Sequence, residues 1–267
     1  MVLEPLYRTS REKLAYRLRY SWTGWTRGET AAQPEVVVEL KPLWEQDGLR
    51  LLEQRWTDRH VQLAFSTLPD VSPVFLAARA KGRLQHALRK SGGPFAGFTR
   101  MVSVRSVGEN TRRDVEAYIA GQVGKEQFVD PRFRAEMQRY AICCPDVDLS
   151  HPSASARGRY WYNLHLVLVT VERYRLSDPG RLATIRDGSL RIAAKKGYAI
   201  SVGSVMSDHL HLALRGDIEH SPLEIGMAFQ NNLAYLLGQV RIWSDGFYAG
   251  TFSEYDMGAI RARADHA

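Results

Sequence analysis

The spacing of apolar and polar residues predicts a chain of mixed α and β structure. Strict alternation is typical of strands, whereas amphipathic spacing with capping residues is typical of helices. Strands are predicted over residues 14 to 26, 55 to 65, 98 to 107, 160 to 173, 199 to 214 (as two runs) and 242 to 251. Helices are predicted over residues 35 to 54, 74 to 90, 111 to 122, 132 to 140, 179 to 196, 221 to 239 and 256 to 264.

The predicted elements follow the same order twice, which indicates an internal repeat. His60-Val61-Gln62 aligns with His209-Leu210-His211, and a Ser-Pro pair follows twelve residues after the first histidine of each copy. The chain is therefore predicted to hold two domains, residues 1–125 and 159–267. A polar connection with several prolines, residues 126–158, joins them.

The repeat continues beyond the Ser-Pro helices. Ser106 aligns with Thr251, and the same register carried forward places Tyr118 of the first copy on Arg263 of the second. The second copy therefore has no tyrosine where the first has one.

The His-Leu-His stretch is the strongest chemical signal in the sequence. On a strand, His209 and His211 point to one face while Leu210 turns to the core. Two neutral imidazoles on a rigid strand make half of a site for a divalent metal. By itself the motif is short, and it is more often structural than metal-binding.

Composition narrows the class of partner. The net charge is +7 and the isoelectric point is about 9.5, which favours an anionic partner such as nucleic acid. The two cysteines, Cys143 and Cys144, are adjacent, so they form neither a disulfide framework nor a Cys-X-X-Cys zinc motif. With no secretion signal in the first residues and no long apolar run, we expect a cytoplasmic protein.

The order of elements resembles a known family. Single-tyrosine transposases of small insertion sequences have the same order: strand, helix, His-U-His strand (U is a bulky apolar residue), Ser-Pro helix, final strand and tyrosine helix. These are the TnpA-type and REP-associated members of the HUH superfamily. The local motifs are the stretch from Ser207 to Leu212, Lys81-Gly82-Arg83, and Tyr118-Ile119-Ala120-Gly121-Gln122. The resemblance covers each half almost end to end.

The resemblance implies an α+β fold of two tandem ferredoxin-like α/β sandwich domains (HUH endonuclease domains). Their antiparallel sheets would form a pseudodimer within one chain. Family members cut and rejoin single-stranded DNA, usually beside a hairpin. They combine histidines from one subunit with a tyrosine helix from the other. A divalent metal, Mg²⁺ or Mn²⁺, is implied as cofactor.

The two copies depart from the family pattern in complementary ways. If the halves combine in trans, Tyr118 is the catalytic nucleophile, and the resemblance implies His209, His211 and Gln122 as metal ligands. Tyr118 and Gln122 lie four residues apart on the predicted helix and so share a face. Asp208 is expected to point away from His209. In a cis arrangement neither site would be complete.

The remaining residues would form a second, degenerate site. It would consist of His60, Gln62 and Arg263, and it has neither the second histidine nor the tyrosine. Alternatively, Tyr118 is a structural residue of a helix that packs against a sheet, and Gln122 is a solvated residue at the end of that helix.

Candidate DNA contacts are basic and aromatic, because single strands bind to cations and to stacking surfaces. The structural alternative is a solvated helix face for the basic residues and a packed core for the aromatic ones. The basic candidates are Arg79, Lys81, Arg83, Arg89, Lys90 and Arg100. The aromatic candidates are Trp22, Trp25, Tyr160 and Trp161.

The leading functional hypothesis is a metal-dependent single-strand DNA endonuclease and strand transferase with a tyrosine nucleophile. A second is a domesticated hairpin-binding or single-strand-binding protein without chemistry. A third is a nickase of the replication-initiator or relaxase type, although no helicase segment is present.

Overall fold

The structure, a computed structural model, describes residues 4–8, 10, 13–125, 131–238 and 241–254. Within these ranges the chain forms two six-stranded sheets and seven α-helices, so the predicted α+β class is confirmed. The predicted last helix, with Arg263, lies outside the described residues. No helix of the described part has both the length and the apolar character to cross a membrane.

The first half alternates strands and helices. Its elements are β1 (Ala15–Arg17), β2 (Arg19–Thr26), α1 (Pro34–Gln46), β3 (Leu49–Trp56), β4 (His60–Thr67), α2 (Pro73–Lys90), β5 (Phe98–Val107) and α3 (Arg112–Ala120). The segment that follows contains α4 (Gln122–Lys125), α5 (Pro131–Gln138), β6 (Ala141–Cys143) and β7 (Ser153–Ser155).

The second half repeats this order. Its elements are β8 (Gly158–Trp161), β9 (Asn163–Val169), α6 (Pro179–Lys196), β10 (Ala199–Val205), β11 (His209–Arg215), α7 (Pro222–Leu236) and β12 (Tyr248–Thr251). The helices begin where the sequence predicts, because Ser72, Asp178 and Ser221 each accept a hydrogen bond from the first turn and a proline follows.

Two sheets organise these strands. Sheet A has the order β1-β12-β9-β11-β10-β6, and sheet B has the order β3-β4-β2-β5-β8-β7. Four consecutive antiparallel strands in each sheet have the same order relative to their own half: β12-β9-β11-β10 and β5-β2-β4-β3. In each set, the strand that comes first in the chain, β2 or β9, lies between the last and the third.

Strand pairing also fixes which residues are equivalent. Trp25 of β2 pairs with His60, and Val169 of β9 pairs with His209. His60 and His209 therefore occupy the same position in the two halves, as the sequence alignment predicted.

The two halves exchange their leading strands. β1 leads into β2 of sheet B, yet it pairs parallel to β12 of sheet A. Conversely, β8 leads into β9 of sheet A and pairs parallel to β5 of sheet B. At the crossings the Arg19 amide donates to Thr251 Oγ1 (2.9 Å) and the Asn163 amide donates to Ser106 Oγ (3.1 Å). The matching bonds support the predicted equivalence of Ser106 and Thr251.

Two predicted elements between residues 35 and 65 are wrong. The sequence predicted one strand over 55 to 65, but residues 57–59 separate β3 from β4. The sequence predicted a helix over 35 to 54, but α1 ends at Gln46 and β3 begins at Leu49. Gly48, at φ +76°, lies in the left-handed region that glycine favours and ends the helix. Leucine, arginine and glutamate in β3 are good helix formers, so pairing with β4 overrides local propensity.

Candidate composite active site

The site is built on one face of sheet A. The apolar residues of β9 and β11, such as Leu166 and Leu212, are buried in the main core. Alternation turns His165, His209 and His211 to the opposite face. The strand prediction for His209 and His211 is thereby confirmed, whereas no motif in the sequence marks His165.

Helix α3 of the first half lies on this histidine face of the second half. A small apolar cluster holds it there, formed by Val115, Ile119, Leu149, Ala213 and Phe252. Polar contacts add to the cluster. Ser201 Oγ donates to Glu116 Oε1 (2.7 Å), and Arg112 forms an ion pair with Glu254.

Tyr118 projects from α3 towards the histidines. Its ring centroid lies 5.7 Å from that of His211 and 6.1 Å from that of His165, both edge to face. The Lys125 ammonium lies 4.2 Å from the Tyr118 ring centroid. Tyr118 is 44% exposed, so a substrate in solvent has access to this side chain.

His165 and His211 are in direct contact across β9 and β11. His165 Nε2 lies 2.9 Å from His211 Nδ1, and the two rings stack at an interplanar angle of 22°. Burial lowers the pKa of His165 to about 4. Burial, followed by the positive charges of the neighbouring histidines, lowers the pKa of His211 to about 3. Both imidazoles are therefore neutral at pH 7, which is the form that binds metals.

A carboxylate orients His209. His209 Nδ1 donates to Asp208 Oδ1 at 2.6 Å, and Arg173 forms an ion pair with the same carboxylate at 3.3 Å. Burial raises the pKa of Asp208, but the bond with His209 and the nearby Arg173 outweigh it, so the pKa lies below its usual value. The expectation that Asp208 points away from His209 was wrong. Asp208 belongs to the turn before β11, where strand alternation does not apply.

The sequence predicted one helix over 111 to 122, but α3 ends at Ala120 and Gln122 begins the short helix α4. Its carboxamide nitrogen donates to the Tyr118 backbone carbonyl at 2.9 Å, and that bond does not use the carboxamide oxygen. Among the described residues, no three His, Cys, Asp or Glu side chains form a metal cluster. A site here needs a ligand of another type, and the role of Gln122 stays a prediction.

The equivalent position in sheet B has different chemistry. Gln62 replaces His211, Ser21 replaces His165, and Gln62 Nε2 donates to Ser21 Oγ at 2.8 Å. His60 contacts Thr57 Oγ1 through Nδ1 at 2.8 Å. Gln62 and Ser21 are in contact as His211 and His165 are, but neither carries an imidazole.

A cavity of about 80 Å³ adjoins His165 where the halves meet. It is lined by His165, Tyr248 and two arginines, Arg17 and Arg19, which both form ion pairs with Glu109. Tyr248 contacts His165 with a centroid distance of 5.7 Å. No pattern in the sequence marks Tyr248, because only strand pairing places it beside His165.

The predicted basic DNA contacts have mixed environments. Arg83 and Arg79 lie 2.6 and 3.7 Å from the Asp47 carboxylate, and Lys81 Nζ donates to the Thr99 carbonyl at 2.7 Å. The exposed members are Arg79, Arg89, Lys90 and Arg100. Their role in binding DNA stays a prediction.

Comparison with known proteins gives weak likenesses. Neither the protein-family models nor the curated proteins match this chain. A solved structure from Deinococcus radiodurans R1, provisionally named a transposase, is 19% identical over 39% of this chain and 88% of its own, with a TM-score of 0.32. The regulatory subunit of aspartate kinase from Thermus flavus is 12% identical over 82% of this chain and 94% of its own, with a TM-score of 0.19. At such TM-scores neither likeness carries an argument about function.

Proposed function

We propose that the chain is a metal-dependent endonuclease and strand transferase for single-stranded DNA, with Tyr118 as nucleophile at one composite site. The observation that carries the proposal is the position of Tyr118. It belongs to the first half but lies 5.7 Å, ring to ring, from His211 of the second. This is the trans combination that the complementary motifs require.

The proposal places the chain with the HUH single-tyrosine transposases. In support, four strands of each sheet have the order of a ferredoxin-like fold, and the leading strands are exchanged as between two subunits. The chain would then act as an intrachain pseudodimer on DNA that carries a hairpin. Its degenerate site, with His60 and Gln62, would not cleave.

The residues present fit a divalent cation. Asp208 contacts Nδ1 of His209, and His165 contacts Nδ1 of His211. The Nε2 atoms of His209 and His211 are therefore left for the ion. His209 and His211 would hold Mg²⁺ or Mn²⁺ together with the Gln122 carboxamide oxygen, and a mixed nitrogen and oxygen set favours Mn²⁺. When bound, the cation would polarise the scissile phosphate.

Tyr118 would supply the covalent step. Its oxygen attacks phosphorus, the bond from phosphorus to the 3′ oxygen breaks, and a 5′-phosphotyrosine remains. The phenolic proton leaves Tyr118, and the departing 3′ oxygen is released as a 3′-hydroxyl. The nearby Lys125 ammonium would stabilise negative charge that develops on the phenolic oxygen and phosphate. Because the link keeps a phosphodiester bond, a second 3′-hydroxyl can attack it and reseal DNA.

The test is a denaturing gel of protein incubated with single-stranded DNA from its own genomic flanks, with and without Mn²⁺. We expect a shifted, metal-dependent protein band that is absent in Tyr118→Phe and His211→Ala. Tyr235→Phe is the matched control, because Tyr235 is a half-exposed tyrosine on α7. Tight DNA binding without a shifted band for any flank would instead support the non-catalytic binding protein.

A further inference from the structure

Cations from four separate segments surround the first residues of β5. We call this group the β5 cation cluster, and its members are Arg27, Lys81, Arg100 and Arg157. Lys81 reaches the strand from α2, and its Nζ donates to the Thr99 carbonyl (2.7 Å) and to the Arg100 carbonyl (3.3 Å). Backbone hydrogen bonds of 2.8 and 3.1 Å tie the main chains of Arg27 and Arg157 to the same stretch.

No carboxylate of the described residues is paired with the exposed members of the cluster. Arg27, Arg100 and Arg157 are exposed, and within the described ranges none of these three arginines forms an ion pair. Glu29 and Asp58 lie in neighbouring turns, and neither of them is paired with a cluster member. The cluster therefore presents uncompensated positive charge to solvent.

The second half builds the same contact between helix and strand without a charge. Gln230 and Lys81 each lie nine residues after the serine that caps their helix, so the two side chains are equivalent. Gln230 Nε2 donates to the carbonyls of Ser244 and Gly246, both at 3.0 Å, in the corresponding stretch before β12. A neutral amide is thus sufficient for this contact, and the fold does not require the charge of Lys81.

Two further positions of the cluster differ in the same direction. Strand pairing makes Lys13 the equivalent of Arg157, and the repeat makes Asp245 the equivalent of Arg100. Lys13 Nζ and the Asp245 carboxylate form an ion pair at 3.0 Å. Sheet A therefore has an amide and a neutralised pair where sheet B has three cations. Charge that the fold does not need indicates a ligand of opposite charge.

Repulsion within the cluster has a cost for the free protein. Burial, followed by the positive charges of Arg27 and Arg157, lowers the pKa of Lys81. A bound anion would oppose both effects, because it favours the charged form of the lysine.

The predicted aromatic candidates do not add stacking rings to the cluster. Trp22 and Tyr160 are buried in the core, so they are not available for stacking. Trp25 pairs with His60 and therefore lies on the face of sheet B opposite to α2. The Trp161 ring stacks with a guanidinium that lies 3.9 Å from its centroid. We therefore expect the cluster to contact a charged backbone and not bases.

We propose that the β5 cation cluster binds backbone phosphates of DNA. Phosphate oxygens would contact the exposed guanidinium groups of Arg27, Arg100 and Arg157, and the ammonium of Lys81 would add its charge beside them. Such contacts position a nucleic acid without reading its sequence. The choice of DNA as the anion rests on the proposed function, whereas the difference in charge between the two halves does not.

The salt dependence of DNA binding tests the proposal in a Tyr118→Phe background, where the proposed covalent step cannot occur. A fluorescent oligo(dT) of about sixteen nucleotides is titrated with protein at several salt concentrations and followed by anisotropy. Lys81→Gln introduces the side chain of the second half, so it should keep the hydrogen bonds to the strand and remove only the charge. We expect the slope of log affinity against log salt to fall by about 0.7 in Lys81→Gln and in Arg157→Gln, and by about 2 when Arg27→Gln is combined with both.

Lys195→Gln is the control, because it removes the same charge from an exposed position on α6 and should leave the slope unchanged. Urea unfolding should show no loss of stability in Lys81→Gln. Arg157 is exposed, so its variant tests the cluster even if Lys81→Gln is less stable.

Three outcomes would contradict the proposal. These are an unchanged slope in Lys81→Gln and Arg157→Gln, an equal fall in Lys195→Gln, and no binding of oligo(dT) at low salt. Calorimetric titration with inorganic phosphate separates a site for a small anion: phosphate binding that Arg157→Gln abolishes, with an unchanged slope for DNA, would overturn the choice of DNA. Absence of the covalent band together with the expected change of slope would overturn only the proposed function.

Discussion

His165 Nε2 and His211 Nδ1 lie 2.9 Å apart, and both rings are neutral at pH 7. A neutral pair at this distance needs one donor and one acceptor nitrogen. If His211 donates through Nδ1, its Nε2 carries the lone pair that a metal requires. Under the proposed metal site, metal binding would select this tautomer, and His165 would be a positioning residue for His211.

His165→Ala is expected to weaken Mn²⁺ binding by about ten- to one-hundred-fold, as is common for residues that orient metal ligands. The cause would be loss of the group that fixes the His211 tautomer. Titration of free Mn²⁺ by electron paramagnetic resonance measures this effect without any DNA. His165→Gln, whose carboxamide oxygen can accept the same bond, should recover part of the affinity. An exposed histidine on α2, His86, gives the control variant His86→Ala. Equal Mn²⁺ affinity in His165→Ala and the unmodified protein would refute this role.

The buried imidazole pair should make stability depend on pH. In the unfolded chain histidines take up protons below about pH 6.5, whereas the folded pair resists protonation down to pH 4 and 3. The free energy of unfolding is therefore not reduced by these histidines above about pH 6.5, and it falls as the pH is lowered below that value. The expected loss is up to about 1.4 kcal/mol per pH unit for each histidine.

The matched variant takes the side chains of the other half, Ser21 and Gln62. His165→Ser with His211→Gln should fold, since that pair forms a 2.8 Å hydrogen bond in sheet B. Urea unfolding at pH 7 and pH 5 measures both proteins. The free energy of unfolding should change less between pH 7 and pH 5 in the variant than in the unmodified protein. An equal change in the two proteins would contradict the assignment of the pH dependence to this histidine pair.

Docking of α3 should depend on Ile119, which is fully buried in the small cluster beneath the helix. Ile119→Ala removes three carbons there, and large-to-small changes in a core cost about 2 to 5 kcal/mol. We expect faster hydrogen exchange of α3 amides and a weaker covalent DNA band. Val38→Ala changes an exposed residue on α1 and should affect neither. Unchanged exchange in α3 would show that the cluster does not hold the helix.

A single composite site predicts at most one DNA adduct per chain. Tyr118 is the one tyrosine proposed as nucleophile, and the equivalent sheet-B position has Gln62 in place of a second histidine. Intact-mass spectrometry after reaction with excess DNA counts the adducts. Chains with two adducts, or an adduct that survives in Tyr118→Phe, would contradict the complementary arrangement.

Local sequence patterns predicted much of this fold. The predicted helix over 179 to 196 matches α6, because Asp178 caps its start and Gly197 adopts a left-handed conformation at its end. Alternation placed His209 and His211 on one face of a strand. The repeat gave the equivalence of His60 and His209. Each of these features depends on neighbours in the chain or on comparison within it.

Tertiary structure decided the rest. β3 is a strand because it pairs with β4, and β1 joins sheet A because β12 offers an edge for pairing. His165 and Tyr118 meet His211 although they are 46 and 93 residues away in sequence. The sequence determined which side chains were available and the local face of each. Long-range strand pairing and the small apolar cluster under α3 decided which of these side chains lie together. Contact between distant segments depends on packing that no local pattern encodes.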